Sequence, residues 1–599
     1  MYGSLLPRIA ATDLSAPALA DLLRGDFDWD SFLEGVRYSP DRYVRQLLTR
    51  QETFEIRLLC WLPGQSSALH SHGASHCALR VIAGQATELR WEGGDQVLQA
   101  GEVSYSLPGE VHQIANHGDQ PLVTLHIYAP PLPADAPVVQ EGRSVVIVGG
   151  GWTGLTIATR LLAREGADLR LTLIERGPEL GRGVAYGSFD PEHILNVPAS
   201  DMSIDPQNPR DFLCYLEEHG QGVPPERFVS RRRYGDYVRA RFVQQVEQRG
   251  GRVRILRGEA EDVFSDGSSW TVRLSNGRSV QAEQVVLATG VGPVRLPRAL
   301  ESLRGDPRLI EDVWAPGRLR SLPADHRLLL VGTGLTALDL VQSLRRQGHR
   351  GPVVARSRHG WWPKAHLAQS WTGPKLVLDV DHAPQTAEGL AEWVREQVRS
   401  RPEVPWQVVF GALRAQVNRL WATLESAERD HFLRTYRPEW EVHRHRAPPQ
   451  SLELLRRWEA EGGLRTVAGE LVGSRATAGG LVVWGTDGVE LEVDHILVAT
   501  GNEADVDRQG GLWATLRRRG LVQRDVQGLG IWTEEGGAVR SAIGGRVPGL
   551  WAVGAVQRPR RFENTSVPDL ARAVAELVES LLPALHAAGR GEASGRLPQ

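Results

Sequence analysis

Two segments of this chain share one design: an apolar run, a glycine-rich turn and then a helical pattern. The first is VVIVGGGWTGLTIA, which has Gly149, Gly151 and Gly154 in the spacing G-x-G-x-x-G. The second is LLLVGTGLTALDL, which has Gly332 and Gly334. The first glycine permits a tight turn, the second lets the backbone approach a pyrophosphate, and the third position must be small for helix–strand packing. The pair predicts two Rossmann-like dinucleotide-binding units of the α/β class.

The strand that follows each turn indicates which nucleotide the unit binds. LRLTLIE ends in Glu175, at the distance where an acidic side chain bonds a ribose hydroxyl. PVVARSRHG instead carries Arg356 and Arg358, and arginines at this place suit the 2′-phosphate of NADP. This favours NADPH over NADH for the second unit. The alternative is that both arginines are ordinary solvated basic residues.

Residues 1–132 have a different character. Short segments such as FEIRLLCWLPG and LVTLHIYAPP are separated by Gly, Pro and Asn turns, which predicts an all-β barrel with a helical N-terminal preface. The Pro- and Ala-rich stretch at 133–142 is predicted to be a linker. Residues 143–590 then form the dinucleotide-binding part, with its second unit inserted at about 325–490. The chain is therefore predicted to be multidomain.

Three histidines in the first domain are candidate metal ligands. His70 and His72 lie two residues apart on a predicted strand, so their rings project to the same face. His112 lies on a later strand, in PGEVHQIAN. Imidazoles that converge inside a barrel form a metal site. The alternative is a set of polar residues on an exposed strand face.

The surroundings of these histidines favour the metal site. The spacing of GQSSALHSHGASHCALRVIAG and PGEVHQIAN resembles the two motifs of cupins. Cys77 stands where many cupins carry a glutamate ligand, which leaves three neutral histidines. HSHGASHCALRVIAG, followed by LHIYAPP, resembles type I cysteine dioxygenase over about residues 40–132.

This resemblance implies Fe(II) held by His70, His72 and His112, with L-cysteine and O2 as substrates. In RYVRQLL, Tyr43 and Arg45 would bind the substrate carboxylate, and an arginine at this place favours cysteine over mercaptopropionate. Cys77 and Tyr128 stand where some members form a thioether beside the iron, and His126 matches a histidine that contacts that tyrosine. The alternatives are a surface ion pair for Arg45 and a small buried apolar side chain for Cys77.

The rest of the chain resembles flavoproteins. QVVLATGVGP and HILVATGNEAD resemble the ATG motifs of two-dinucleotide flavoproteins, and GLWAVGAVQRP, with Gly554, resembles the late FAD-closing motif, although Gly-Ala replaces the usual Gly-Asp. GRGVAYGS, HILNVPASDMS and RHRAPP resemble an FAD/NAD(P)-binding family related to flavin-dependent N-hydroxylases, over about residues 143–585. The resemblance implies FAD on the first unit and NADPH on the second. Gly183, Tyr186 and Asn196 would lie near the flavin, or else serve only the fold.

Charge and cysteine content exclude several classes of function. The net charge of −3 gives no electrostatic case for nucleic acid or anionic membrane as a partner. The three cysteines contain no C-x-x-C and suit a reducing compartment, so neither a disulfide framework nor a dithiol redox enzyme is predicted. No signal peptide is evident and the apolar runs are too short to cross a bilayer. A cytoplasmic location is expected.

Together these patterns predict a bifunctional oxidoreductase. The cupin is expected to oxidise L-cysteine to cysteine sulfinate with O2, and the flavoprotein to use NADPH and FAD to oxygenate a related small molecule. The alternative is a cupin that senses a thiol or a metal without turnover and regulates an NADPH-dependent flavin reductase.

Overall fold

A computed structural model describes residues 5–133, 143–187, 190, 193–249, 252–315, 317–369 and 371–588. The predicted linker at 133–142 lies outside the described residues except for its first position.

The first domain contains two short helices and two antiparallel sheets. Its helices are α1 (Leu5–Ala10) and α2 (Ala16–Leu23), and its strands are β1 (Val44–Arg50), β2 (Glu55–Trp61), β3 (His76–Ala83), β4 (Gln85–Arg90), β5 (Gly94–Gln99), β6 (Val103–Ser106), β7 (His112–Ala115) and β8 (Leu122–Ala129). The sheets have the strand orders β1-β2-β8-β3-β6 and β5-β4-β7. Every residue of β2 and β8 is buried, as expected for central strands with both faces covered.

The first half of the dinucleotide-binding part is built on a mainly parallel sheet. Its elements are β9 (Arg143–Val148), α3 (Trp152–Glu165), β10 (Leu169–Glu175), α4 (Gly183–Tyr186), α5 (Asp211–Glu218), α6 (Arg231–Arg249), β11 (Arg252–Arg257), β12 (Ala260–Ser265), β13 (Trp270–Leu274), β14 (Ser279–Ala282) and β15 (Gln284–Leu287). Strands β12, β13 and β14 form a separate antiparallel sheet.

A second unit follows, with a parallel sheet of order β16-β23-β17-β18-β19 and an antiparallel sheet of order β20-β21-β22. Its elements are β16 (Leu309–Ile310), β17 (Leu328–Val331), α7 (Leu335–Arg346), β18 (Val353–Ser357), α8 (Ala387–Arg399), α9 (Trp406–Arg414), α10 (Val417–Thr423), α11 (Ser426–Thr435), α12 (Arg437–Arg444), α13 (Pro449–Ala460), β19 (Leu464–Ala468), β20 (Leu471–Ala476), β21 (Leu481–Gly485), β22 (Glu490–Val493) and β23 (His495–Val498). In the sequence, helices α8 to α12 all come after β18 and before β19, although these two strands are neighbours in the sheet.

The chain then returns to the first sheet. The final elements are α14 (Val506–Gln509), α15 (Gly511–Arg518), β24 (Ala538–Arg540), β25 (Arg546–Ala552) and α16 (Val567–Ala588). Strands β25 and β24 complete the order β11-β10-β9-β15-β25-β24. The predicted fold class, a β-cupin followed by two Rossmann-like units, is confirmed. Within the described part of the chain, no helix combines the length and apolar character needed to span a membrane.

The cupin packs directly on the edge strand β11. The Leu69 N–H donates to the Val253 carbonyl at 2.6 Å, and the Gln113 side chain bonds both the N–H and the carbonyl of Ile255 at 2.9 Å. Trp91 packs against Phe242, with ring centroids 5.3 Å apart. Leu69, Trp91 and Val111 of the cupin therefore belong to the same apolar core as the first dinucleotide-binding sheet.

Candidate metal centre and cofactor sites

The three predicted histidines meet in one place. One ligand atom from each of His70, His72 and His112 lies within 4.8 Å of those of the other two. The Nε2 atoms of His72 and His112 are 3.3 Å apart. His112 begins β7 as predicted, but His70 and His72 are not on a strand: His70 forms an isolated bridge with His112, through two main-chain hydrogen bonds of 2.9 Å. That bridge, and not strand alternation, brings the two ligand segments together.

The donor set fits a metal ion. The Nδ1 atom of His70 bonds the Ala68 carbonyl at 2.9 Å, which leaves its Nε2 atom for the centre. Burial, with the neighbouring His112 adding to the effect, lowers the pKa of His70 to about 3. Burial likewise lowers the pKa of His72 well below its ordinary value. Neutral imidazoles are the form that binds a transition metal.

Glu88 is a further site residue that the sequence reasoning missed. It is fully buried in β4 and its carboxylate accepts a hydrogen bond of 2.6 Å from His112 Nδ1. Burial opposes ionisation, but the contacts with His112, Arg90 and Ser104 lower the pKa of Glu88 to about 2. An ionised carboxylate here fixes the His112 tautomer and aims Nε2 at the centre. The only signal in the sequence is an acidic residue in the middle of QATELR.

Cys77, His126 and Tyr128 lie beside the histidine cluster. Cys77 on β3 is the register partner of Tyr128 on β8, and both side chains are buried. The Tyr128 hydroxyl is 3.2 Å from His126 Nδ1, and the Cys77 sulfur is 3.9 Å from the same nitrogen. The rings of Tyr128 and His72 are 5.0 Å apart, so this group adjoins the metal centre.

The predicted carboxylate-binding residues are on β1 and just before it. Tyr43 stacks on Trp61 with ring centroids 4.0 Å apart. Arg45 is paired in register with Leu59 and is exposed to solvent. Burial lowers the pKa of His126 most, and His112 has the next largest effect. The positive charge of Arg45 also lowers it, so the guanidinium lies within electrostatic reach of the centre.

The first glycine turn has the predicted packing. A Cβ on Gly149 would lie 2.3 Å from the Ala288 carbonyl oxygen, and one on Gly154 would lie 1.9 Å from the Gly149 oxygen, so neither position accepts a side chain. Around Gly151 the nearest atom, Gly183 Cα, is 3.5 Å from such a Cβ. The Glu175 carboxylate accepts a hydrogen bond of 2.8 Å from the N–H of Gly150, which places it beside the turn.

The second glycine turn repeats this arrangement. A Cβ on Gly332 would lie 2.3 Å from the Ala499 carbonyl oxygen, the same distance as a Cβ on Gly149 from the Ala288 carbonyl oxygen. The space next to Gly334 is open. Both ATG segments, at 288–290 and 499–501, thus pack against a glycine turn. The hydroxyls of Thr333 and Ser357 are 2.8 Å apart, so the end of β18 adjoins the turn.

The structure gives Arg356 a contact within the fold. Its side chain is buried, pairs with Asp487 at 2.7 Å and donates to the Gly469 carbonyl at 3.1 Å. These contacts join β18 to the antiparallel sheet, and the guanidinium is buried between them. Arg358 lies past the end of β18 and is exposed, next to Ser357. Ser357 was not predicted, since a lone serine after a strand carries no signal of its own.

Of the predicted flavin neighbours, Gly183 lies beside the first turn, Tyr186 ends the same short helix, and Asn196 contacts the inserted unit. Gly183 approaches Gly151, and Tyr186 packs its ring edgewise on Tyr234 at 4.8 Å. The Asn196 carbonyl oxygen is 2.8 Å from His366 Nε2, a contact between the first unit and the inserted one.

Gly554 follows β25, and its carbonyl accepts a hydrogen bond of 2.9 Å from the Asn564 side chain.

Two family models match the chain. Residues 25–136 match cysteine dioxygenase type I, and residues 146–292 match the FAD-NAD(P)-binding family. A cysteine dioxygenase-type cupin precedes an FAD/NAD(P)-binding domain. Both resemblances predicted from the sequence are confirmed, and with them iron as the metal of the cupin type and FAD with a nicotinamide nucleotide as the cofactors of the second part.

Curated relatives match each part of this cupin–flavoprotein chain separately. Cysteine dioxygenase type 1 of Danio rerio is 31% identical over 121 residues, which are 17% of this chain and 58% of that enzyme. Baeyer-Villiger monooxygenase ATR8 of Stachybotrys chlorohalonatus is 26% identical over 231 residues, which are 36% of this chain and 33% of that enzyme. The chain thus spans less than two thirds of the length of either relative.

A solved structure shares the fold of the flavoprotein part. The reduced ornithine hydroxylase PvdA of Pseudomonas aeruginosa is 18% identical and covers 74% of this chain and 100% of its own, with a TM-score of 0.51. The L-lysine 6-monooxygenase of Pseudomonas syringae gives the same TM-score of 0.51 at 19% identity, and it covers 74% of this chain and 99% of its own. At these identities the likeness concerns the fold alone.

Proposed function

We propose that this chain is a bifunctional oxidoreductase. The cupin oxidises the thiol of L-cysteine with O2 to cysteine sulfinate. The flavoprotein takes hydride from NADPH and oxygenates a small molecule with a second O2. The observation that carries the first half is the convergence of His70, His72 and His112 on one point, with Cys77 and Tyr128 alongside.

The residues of the cupin have distinct tasks. His70, His72 and His112 hold the iron, which supplies open coordination positions for thiolate and O2. Arg45 binds the carboxylate of cysteine and fixes its orientation. Both oxygen atoms pass to the sulfur and the electrons that reduce O2 all come from it, so no outside reductant is consumed. Tyr128 and His126 line the side of the centre where the substrate sits.

Unlike the cupin reaction, the flavoprotein reaction consumes an outside reductant. NADPH supplies the electron pair and a proton comes from solvent; one atom of O2 enters the substrate and the other leaves as water. The turn at Gly149, Gly151 and Gly154 holds the FAD pyrophosphate, and Glu175 bonds its ribose. Gly332 and Gly334 receive NADPH, and Arg358 with Ser357 binds its 2′-phosphate.

The test is product analysis with the full chain. Iron-loaded, FAD-containing protein is supplied with L-cysteine, and O2 uptake and sulfinate are measured with and without NADPH. Sulfinate formed without NADPH, and lost in His112→Ala but not in the exposed-site control His382→Ala, supports the cupin reaction. Absence of sulfinate while another thiol is turned over rejects cysteine as the substrate. A flavin that NADPH does not bleach rejects the second half.

A second candidate is a cupin that senses metal or thiol and regulates a flavin reductase. The contacts of Leu69 and Gln113 with β11 favour it, since each residue neighbours a metal ligand and bonds the flavoprotein main chain. Under this hypothesis iron-loaded protein consumes no O2 with cysteine alone, while iron or cysteine changes the rate of NADPH oxidation.

A further inference from the structure

Helices α8 to α12 of the inserted unit line a cavity that is partly open to solvent. Its volume is about 660 Å³, and its walls include Leu390, Val394, Phe410, Leu413 and Val417. Protein interiors pack densely and contain few voids larger than a water molecule. A cavity of this size falls in the range of small-molecule sites, roughly 300–1,000 Å³.

Aromatic rings line the cavity on several sides. Phe410 stacks on Trp440 with ring centroids 5.8 Å apart and meets Trp406 edgewise at 5.5 Å. Phe562 stacks on Trp421 at 4.4 Å. Such walls bind flat apolar rings by stacking and dispersion, and they hold little ordered water.

The charged residues of the cavity satisfy one another. Arg395 pairs with Glu439 at 2.9 Å, and Arg399 pairs with Glu392. Burying the charged ammonium and carboxylate of a free amino acid between apolar walls is unfavourable without partners. The cavity therefore suits a neutral apolar molecule and does not suit cysteine or another zwitterion.

One wall of the cavity comes from residues just after the FAD-closing segment. Phe562 lies eight positions after Gly554, and the Trp421 indole N–H donates to the Pro559 carbonyl at 3.0 Å. The Trp440 indole N–H donates to the Glu563 carboxylate, also at 3.0 Å. Trp421 thus bonds the last residue of the FAD-closing segment, and Trp440 bonds a residue four positions later.

We infer that this cavity binds the oxygenation substrate of the flavoprotein, and that this substrate is an apolar, ring-bearing small molecule. The inference rests on the proposed function for its chemistry, and it replaces the expectation that the second substrate is a small molecule related to cysteine. The binding site itself stands on the cavity and its lining.

A matched pair of valine variants tests the site. Val417 lines the cavity, whereas Val377 has the same side chain and is 71% exposed. Iron- and FAD-loaded protein is titrated with N-phenyl-1-naphthylamine, a neutral fluorescent ring compound. We expect saturable binding with quenching of tryptophan emission, loss of at least about tenfold in affinity in Val417→Phe, and no change in Val377→Phe.

Further results test the inference. Val417→Ala enlarges the cavity without crowding it, and it should keep binding even where Val417→Phe fails to fold. Equal binding by a folded Val417→Phe, or displacement of the dye by L-ornithine, would overturn the inference. So would a concentration-dependent dimer that Val417→Phe abolishes in sedimentation, since the occupant is then a second copy. Flavin bleaching by NADPH is measured separately. If the dye binds but NADPH does not bleach the flavin, the cavity is a binding site and the proposed oxygenation reaction is wrong.

Discussion

Gln113 exchanges two hydrogen bonds of 2.9 Å with the main chain of Ile255. Gln113 follows the metal ligand His112, and Ile255 lies on the edge strand of the flavoprotein sheet. Leu69, which precedes the ligand His70, bonds Val253 on the same strand at 2.6 Å. The flavoprotein edge therefore holds both segments that carry the metal ligands.

Gln113→Leu keeps the size of the side chain and leaves the N–H and carbonyl of Ile255 without partners. Because buried unpaired polar groups are expensive, we expect a loss of about 2 kcal/mol in the free energy of unfolding of the cupin and weaker iron retention. Denaturant unfolding and iron analysis measure both. The exposed Gln99→Leu is the control; equal loss in the two variants would contradict the role given to Gln113.

Glu88→Ala removes the carboxylate that orients His112. We expect iron affinity to fall by about ten- to a hundredfold, because partners of metal-bound histidines contribute on that scale. The iron affinity of Glu88→Gln, which keeps an acceptor, should lie between that of Glu88→Ala and that of the wild type. Competition with a ferrous chelator measures the affinity, and Glu52→Ala on the surface is the control. Unchanged affinity in Glu88→Ala would show that His112 needs no such support.

We predict that Arg356 stabilises the fold, whereas Arg358 binds the cofactor. Arg358→Ala should raise KM for NADPH by about tenfold and leave KM for NADH unchanged, since only NADPH carries the 2′-phosphate. Arg356→Ala should lower the melting temperature and leave the ratio of the two KM values near that of the wild type. The prediction fails if the discrimination against NADH is lost in Arg356→Ala instead.

The burial of His366 predicts a pH dependence of stability. Burial, with a contribution from Arg446, lowers the pKa of His366 to about 4 from an ordinary 6.5. The unfolded chain therefore binds a proton that the folded chain refuses, so the stabilisation is complete above pH 6.5 and is lost as the pH falls toward 4. The drop in melting temperature between about pH 7.5 and about pH 5 should shrink in His366→Gln. His382→Gln, at a side chain 92% exposed, should behave as wild type.

Local spacing predicted much of this molecule. The turns at Gly149 and Gly332 and the ligands His70, His72 and His112 lie in short segments whose chemistry is fixed by neighbours in sequence. The buried pair of Arg356 with Asp487 could not be predicted, because the two residues are 131 positions apart. Glu88 and the cavity around Val417 were missed because each depends on packing between distant segments, which no periodicity records.

The most direct test of the account is the iron content of the intact chain. Protein loaded with Fe(II) without oxygen and then desalted should retain a single iron per chain. The variants His70→Ala, His72→Ala and His112→Ala should retain almost none and show no O2 uptake with cysteine. Wild-type protein without iron, or equal iron in all four proteins, would contradict the three-histidine centre on which the proposed thiol chemistry depends.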